Sequence, residues 1–144
     1  MADGLGAVLE KALLDAAFGA TAFAATTPVF FAALTTMPTA RDGTGLVECA
    51  NANAYARLSV ANTSANFSAA TGTTNGSKAL AVAQTFVTAT GTWGTILGIG
   101  ISKVSTLADN TAANWLGFIT FTGSVTLAAN NALQVSAGAA ITVT

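Results

Sequence analysis

The spacing of apolar residues changes from helical to strand-like near residue 28, and this change constrains the fold more than any other feature. In residues 5–18, LGAVLEKALLDAAF, apolar side chains recur every three or four positions, and Gly19 follows as a helix stop. From Pro28 onward, apolar residues alternate or form short runs between turn signals such as Asp42-Gly43. The pattern predicts one N-terminal helix followed by β-strands.

The remainder of the chain contains roughly eight strand-like segments separated by turns. Residues 28–36, PVFFAALTT, are apolar at both odd and even positions, which is typical of a strand buried on both faces. The other predicted strands are 54–61, 78–87, 92–102, 115–123 and three short pieces around VTL, LQVS and ITVT. We therefore predict a mainly β protein, an antiparallel, jelly-roll-like β-sandwich with one N-terminal α-helix. Residues 1–20 form the helical segment of this single domain, and residues 21–144 form the β-sandwich.

The stretch TWGTILGIGIS, residues 92–102, is rich in glycine, as phosphate-binding loops are. Its glycines fit neither the P-loop nor the dinucleotide-binding spacing, and no helical pattern follows them. Gly98 and Gly100 lie on the same face of the predicted strand, so that face carries almost no side chains there. We expect a bulky neighbour, Trp93 or Trp115, to lie across it.

The composition limits the classes of partner. Only 8% of the 144 residues are charged, 52% are hydrophobic, and the net charge is −1. Nucleic-acid binding requires clustered Lys or Arg, so we expect no nucleic-acid partner. The long uncharged runs are interrupted by Thr, Gly, Asn or Pro, so we expect no membrane partner. The N-terminus lacks the basic region of a signal peptide. The single cysteine allows no disulfide framework within one chain, which predicts synthesis in a reducing cytoplasm.

The residues that usually carry catalysis are scarce. The chain has no histidine and one cysteine, Cys49, which lacks a base partner and is expected to act as a small apolar filler. Among the six carboxylates, only Asp42 and Glu48 lie close together outside the helix, and the turn explains Asp42. We therefore predict no catalytic, cofactor-binding or metal-binding residues, no cofactor and no enzymatic activity.

The order of several short motifs resembles a family of small tailed-bacteriophage virion proteins. These motifs are an "ALLDxxFG" helix, a "YAR" strand and a "WG" strand followed by "GI". The resemblance spans residues 9–101, and residues 102–114 depart from it because they form a longer connection than the family has. It implies a structural role in a virion and transfers no catalytic residues. The matching residues are Leu13, Leu14, Asp15, Phe18, Gly19, Tyr55, Ala56, Arg57, Trp93, Gly94, Gly98 and Ile99.

Three functions remain open from the sequence. The leading prediction is a capsid decoration (cement) protein that packs on the major capsid protein and on copies of itself in the virion. The first alternative is a phage tail, neck or fibre component. The second is a carbohydrate-binding or adhesive β-sandwich module, which would need exposed aromatic side chains, and only Tyr55, Trp93 and Trp115 are available for sugar stacking.

Five residues are predicted to make core or assembly contacts: Leu9, Leu13, Phe18, Trp93 and Trp115. The apolar surface of the helix is broad, so Leu9, Leu13 and Phe18 should be buried either by the protein's own sheet or by a partner chain. Burial by its own sheet predicts that Leu13→Ala lowers the stability of the isolated protein by about 2–5 kcal/mol.

Overall fold

The computed structural model describes residues 4–19, 22–72, 76–109 and 111–142, with only the backbone described at Thr142. Strands account for 37% of the chain and helices for 11%. In chain order the elements are β1 (Gly4–Leu5), α1 (Ala7–Phe18), β2 (Val29–Thr36), β3 (Val47–Glu48), β4 (Leu58–Val60), β5 (Ser77–Ala79), β6 (Gln84–Thr85), β7 (Gly94–Ser102), a 3₁₀ turn (Ala112–Asn114), β8 (Trp115–Leu127), β9 (Gln134–Val135) and β10 (Ala140–Thr142).

A six-stranded antiparallel sheet forms the centre of the protein. Its strand order is β1-β8-β7-β2-β3, and β4 also pairs with β2, on residues nearer the start of that strand. Two small antiparallel sheets, β5–β10 and β6–β9, complete the strand pairing among the described residues. The prediction of a mainly β, antiparallel fold with one N-terminal α-helix is confirmed.

The N-terminal segment is joined to the central sheet. Before the helix, Gly4 and Leu5 form edge strand β1 on β8, and the Gly6 N–H donates to the Leu116 carbonyl at 2.7 Å. Helix α1 therefore begins at Ala7, two residues later than the periodicity predicts, because Leu5 belongs to a strand. It ends at Phe18 as expected, and the N–H of the following residue, Gly19, donates to the Asp15 carbonyl at 2.9 Å.

Both faces of the central sheet are buried, as the apolar run of β2 predicts. One face packs against the two small sheets and forms the larger cluster, with Phe31, Phe67, Phe86, Trp93, Ile96, Ile99, Ile119 and Val135 among its members. The opposite face forms a smaller cluster of Ala32, Leu34, Met37, Leu46, Trp115 and Phe118. Successive residues of β2 alternate between these clusters, so a two-residue period places its side chains on both sides.

The glycines of β7 make room for large side chains from the smaller cluster. A Cβ on Gly100 would lie 2.5 Å from Trp115 Cζ3, and a Cβ on Gly98 would lie 2.7 Å from Met37 Sδ. Of the two tryptophans predicted to cross this strand, Trp115 does so, while Trp93 packs in the larger cluster. Near Gly98 the β7–β8 register also shifts, and Leu97 alone lies opposite residues 121–124. These glycines therefore serve packing and a bulge, and they do not form a phosphate-binding loop.

Three predicted strands differ from those observed. Predicted strand 78–87 divides into β5 and β6, because each half pairs with a different partner strand. The VTL piece is the end of β8, which continues through Gly123 without a turn. Predicted strand 54–61 is reduced to β4, because Asn53 and Ala54 have φ angles of 56° and 64°, which interrupt extended backbone. The predicted turn at 71–77 includes residues 73–75, which lie outside the described residues.

Candidate assembly surface

The five predicted contact residues divide into two groups. Trp93 and Trp115 are buried in the core, with 6% and 0% of their surface exposed. Leu9 is half-buried beside the sheet, whereas Leu13 and Phe18 are 41% and 88% exposed. The prediction that the protein's own sheet buries Leu13 and Phe18 is therefore wrong. The sheet covers only one side of the helix. Side chains on the opposite side of the helix axis point away from the sheet and stay exposed. Burial by a partner chain stays a prediction.

The outer side of α1 carries an apolar ridge, formed by Leu14 and Phe18. These residues are 58% and 88% exposed, and their i,i+4 spacing places them one turn apart on the same side of the helix. Phe23, just after the helix, is also 45% exposed. Large exposed apolar side chains grouped in this way are typical of surfaces that contact another protein. The ridge is the strongest candidate for an assembly contact among the described residues.

An apolar pocket of about 220 Å³ lies beside the N-terminal half of the same helix. Its wall combines side chains from the helix, the central sheet and the small β5–β10 sheet, namely Leu9, Val29, Phe67, Ile101, Leu116 and Ile141. Exposed Asn62 and Lys78 stand at its rim with half-buried Ser77. We refer to it as the apolar pocket. A concave apolar wall with a few polar groups at its mouth is typical of a site that receives an apolar group.

Six of the ten charged side chains that the structure describes have ion-pair or hydrogen-bond partners within the chain. Arg57 pairs with Glu48 in the interior, Arg41 pairs with Glu10 at the surface, and the acidic residues Asp42 and Asp109 accept hydrogen bonds from backbone N–H groups two residues ahead. Hydrogen bonds from Thr44 and Thr111, respectively, lower the pKa of these two carboxyls. Within the described ranges, four charged side chains have neither an ion pair nor a side-chain hydrogen bond: Lys11, Asp15, Lys78 and Lys103.

A buried polar cluster joins strands β3 and β4 to the loop after β7. The Glu48 carboxylate accepts two hydrogen bonds from the Arg57 guanidinium, at 2.9 and 2.7 Å, and one from the Ala108 N–H at 2.8 Å. Arg57 also donates to the Ser102 hydroxyl and lies 4.9 Å from the centre of the Trp115 ring. Both oxygens of the Glu48 carboxylate are therefore occupied by hydrogen-bond donors of the chain itself.

Tyr55 completes this cluster and closes a gap in strand pairing. Between β3 and β4 the edge of β2 has no partner strand, and there the Ala33 N–H donates to the Tyr55 hydroxyl at 2.9 Å. The same hydroxyl donates to Glu48 at 2.7 Å. Burial, with the Glu48 charge adding to it, raises the pKa of Tyr55 above its usual value. Tyr55 therefore supports the sheet and remains protonated.

The sequence did not predict this cluster, although it contains a signal for it. Tyr55 and Arg57 are two residues apart in predicted strand 54–61, so the alternation of a strand places them on the same face. An arginine on a face with buried residues requires a buried acid. Glu48 was singled out only as a possible catalytic acid. The three aromatic residues considered for sugar stacking, Tyr55, Trp93 and Trp115, are all buried. The carbohydrate-binding alternative therefore lacks the exposed aromatic residues on which it depended.

Cys49 lies in the larger core cluster, as the filler hypothesis predicts. Its thiol is within 3.5 Å of the Trp93 carbonyl, and burial raises its pKa to about 12. The described part of the chain contains no group of three or more Cys, Asp or Glu side chains placed to hold a metal ion. It also contains no helix with the length and apolarity needed to cross a membrane.

Residues 4–144 match the family model described as Gp80, podophage GP4 fiber I protein gp80. The chain belongs to this family. The match to the gp80 family includes α1 and all ten strands of the structure. The comparison with curated proteins gave no match.

Membership of the gp80 family bears on the predicted functions. The family is one of phage virion structural proteins, which confirms the general resemblance and fits a location in the virion. Its description names a fibre protein, so it supports the alternative of a tail or fibre component. It gives no support to capsid decoration, which was the leading prediction.

Proposed function

We propose that this protein is a non-catalytic structural subunit of a phage fibre, which assembles with copies of itself and with other virion proteins. The observation that carries the proposal is the match of residues 4–144 to a family described by a podophage fibre protein. The ionisable side chains of the interior are consistent with it, since Glu48, Arg57 and Tyr55 are committed to one another.

Apolar and backbone contacts hold this subunit in the particle. The exposed ridge of α1 supports this, as does the low number of charges that lack a partner in the chain. Exposed ion pairs contribute little to association and are weakened by salt. The favourable free energy from burial of apolar area is not weakened by salt. Particles washed in about 1 M NaCl, where the screening length is roughly 3 Å, should keep the protein. A chelator should also leave it bound. Release by either treatment alone would contradict this mode of attachment.

Labelling of purified particles tests the location. Gold-conjugated antibody against the protein, viewed by electron microscopy, should mark fibres and leave the head surface unmarked. Quantitative mass spectrometry of the same particles should give a handful of copies or a few rings of copies for each virion. Labelling across the head with hundreds of copies would reject the fibre proposal in favour of capsid decoration and of the major capsid protein as the partner.

A further inference from the structure

The apolar ridge is a protruding apolar surface, and the apolar pocket is a concave one. We propose that Phe18 of one copy inserts into the apolar pocket of a second copy, and that this contact joins neighbouring subunits. The inference rests on the self-association proposed above and names the surfaces that make it. The occupant of the pocket is thus the phenyl ring of another copy of this chain.

The size of the pocket fits one phenyl ring. Its volume is about 220 Å³, and its wall is built from Leu, Ile, Val and Phe side chains. A cavity of about 150 Å³ with a similar lining is enough to bind benzene. A ring attached to a backbone enters from one side and requires an open mouth, which this pocket has at Asn62, Ser77 and Lys78.

Phe18 is the side chain best placed to fill such a pocket. At 88% exposure it has the largest exposed fraction of the large hydrophobic side chains described, and it lies on the last turn of α1. A protruding aromatic side chain that enters a pocket is the usual centre of an interface. Leu14, one turn earlier, adds apolar area beside it.

The charges near the two surfaces are opposite. Asp15 lies three residues before Phe18, one helical turn away, and is exposed. Lys78 is exposed at the rim of the pocket. Neither side chain has an ion pair or side-chain hydrogen bond within its own chain as described. When Phe18 enters the pocket, the Asp15 carboxylate approaches the Lys78 ammonium. Lys11 lies seven residues before Phe18, so it is farther from the inserted ring than Asp15 is.

The geometry within one chain determines the kind of contact. Leu9, in the wall of the pocket, and Phe18 are nine residues apart on α1, which corresponds to about 13.5 Å along the axis. Phe18 therefore lies too far along its own helix to fill its own pocket. Each copy offers one ridge and one pocket on different parts of its surface, so a head-to-tail contact of this kind can continue from copy to copy.

Sedimentation of the purified protein and of two blocking variants tests the proposal. Phe18→Ser removes the inserted ring, and Ala70→Trp fills the pocket from an exposed position in its wall. Each variant should weaken self-association at least about 25-fold, the loss expected at the centre of an interface. The control Val87→Ala changes a residue that is 50% exposed outside both surfaces and should leave self-association unchanged. Circular dichroism and thermal unfolding establish that each variant remains folded.

Mixing the two variants gives a specific readout. The Ala70→Trp chain retains Phe18, and the Phe18→Ser chain retains an open pocket, so together they should form a one-to-one complex although neither self-associates. For the charges, Asp15→Lys and Lys78→Asp should each weaken association on the order of 3- to 10-fold, and the double variant should restore it.

Four results would overturn the proposal. A wild-type protein that stays monomeric up to about 100 µM would remove both the contact and self-association in solution. A wild-type oligomer that is unaffected by Phe18→Ser or Ala70→Trp would reject this contact alone. Failure of the mixed variants to form a complex would also reject it. A small apolar molecule retained in the pocket, detected by native mass spectrometry, would identify a different occupant.

Discussion

Replacement of Glu48 by glutamine should destabilise the protein more than any other change of a surface or buried carboxylate in the described chain. Glu48 accepts four hydrogen bonds, from the Tyr55 hydroxyl, two Arg57 nitrogens and the Ala108 N–H, at 2.7 to 2.9 Å. Glutamine has nearly the same shape, but its amide group donates where a carboxylate oxygen accepted. The change also leaves the fully buried Arg57 guanidinium without its counter-charge.

The expected loss follows from the burial of both partners. The side chains of Arg57 and Glu48 are 0% and 2% exposed. Removing one partner of such a pair costs about 3–5 kcal/mol, because the remaining charge stays buried without compensation. Folded domains are stable by roughly 5–15 kcal/mol in total, so this is a large fraction. At roughly 2–4 °C for each kcal/mol in a protein of this size, the melting temperature should fall by about 6–20 °C.

Urea unfolding at pH 7, followed by tryptophan fluorescence and circular dichroism, measures this loss. The matched control is Glu10→Gln, which breaks the surface ion pair with Arg41, whose side chains are 31% and 40% exposed. An exposed pair contributes about 0–1 kcal/mol, so the control should change the free energy of unfolding little. If Glu48→Gln costs no more than Glu10→Gln, the buried pair does not stabilise the fold as argued.

Three further predictions concern packing and ionisation. Gly100→Ala should cost about 1–3 kcal/mol, because its Cβ would overlap Trp115, whereas Gly123→Ala, with no atom within 4 Å, should change the free energy of unfolding by less than about 0.5 kcal/mol. Leu13→Ala should cost about 1 kcal/mol or less in the monomer, since Leu13 is 41% exposed, and a loss of 2–5 kcal/mol in urea unfolding would contradict the observed helix position. Cys49 should react with a thiol reagent only on unfolding. Because burial raises its pKa from 9.0 to about 12, the unfolded chain loses this proton first, so the Cys49 contribution to stability should fall as pH rises from 9 toward 12; Cys49→Ala should reduce that fall.

The sequence by itself determined the elements whose pattern is local. The helical period predicted α1 with its end at Gly19, and the doubly apolar run predicted β2. Gly98 and Gly100 are two residues apart and therefore lie on the same face of β7, which predicted that a bulky side chain crosses that face. This side chain is Trp115. These features follow from sequence because the period of the backbone decides which neighbouring side chains share a face, and no distant partner is needed.

Only the tertiary structure decided which distant residues meet. Glu48 and Arg57 pair because β3 and β4 add to the same edge of β2, and the N–H of Ala108, 60 residues from Glu48, completes the site. Likewise, α1 is apolar around much of its surface, and its own sequence does not state which side the sheet covers. The placement of the helix against β8 leaves the ridge exposed and forms the apolar pocket from seven elements and their loops. Such partners depend on strand register and packing over the whole chain, which local periodicity does not encode.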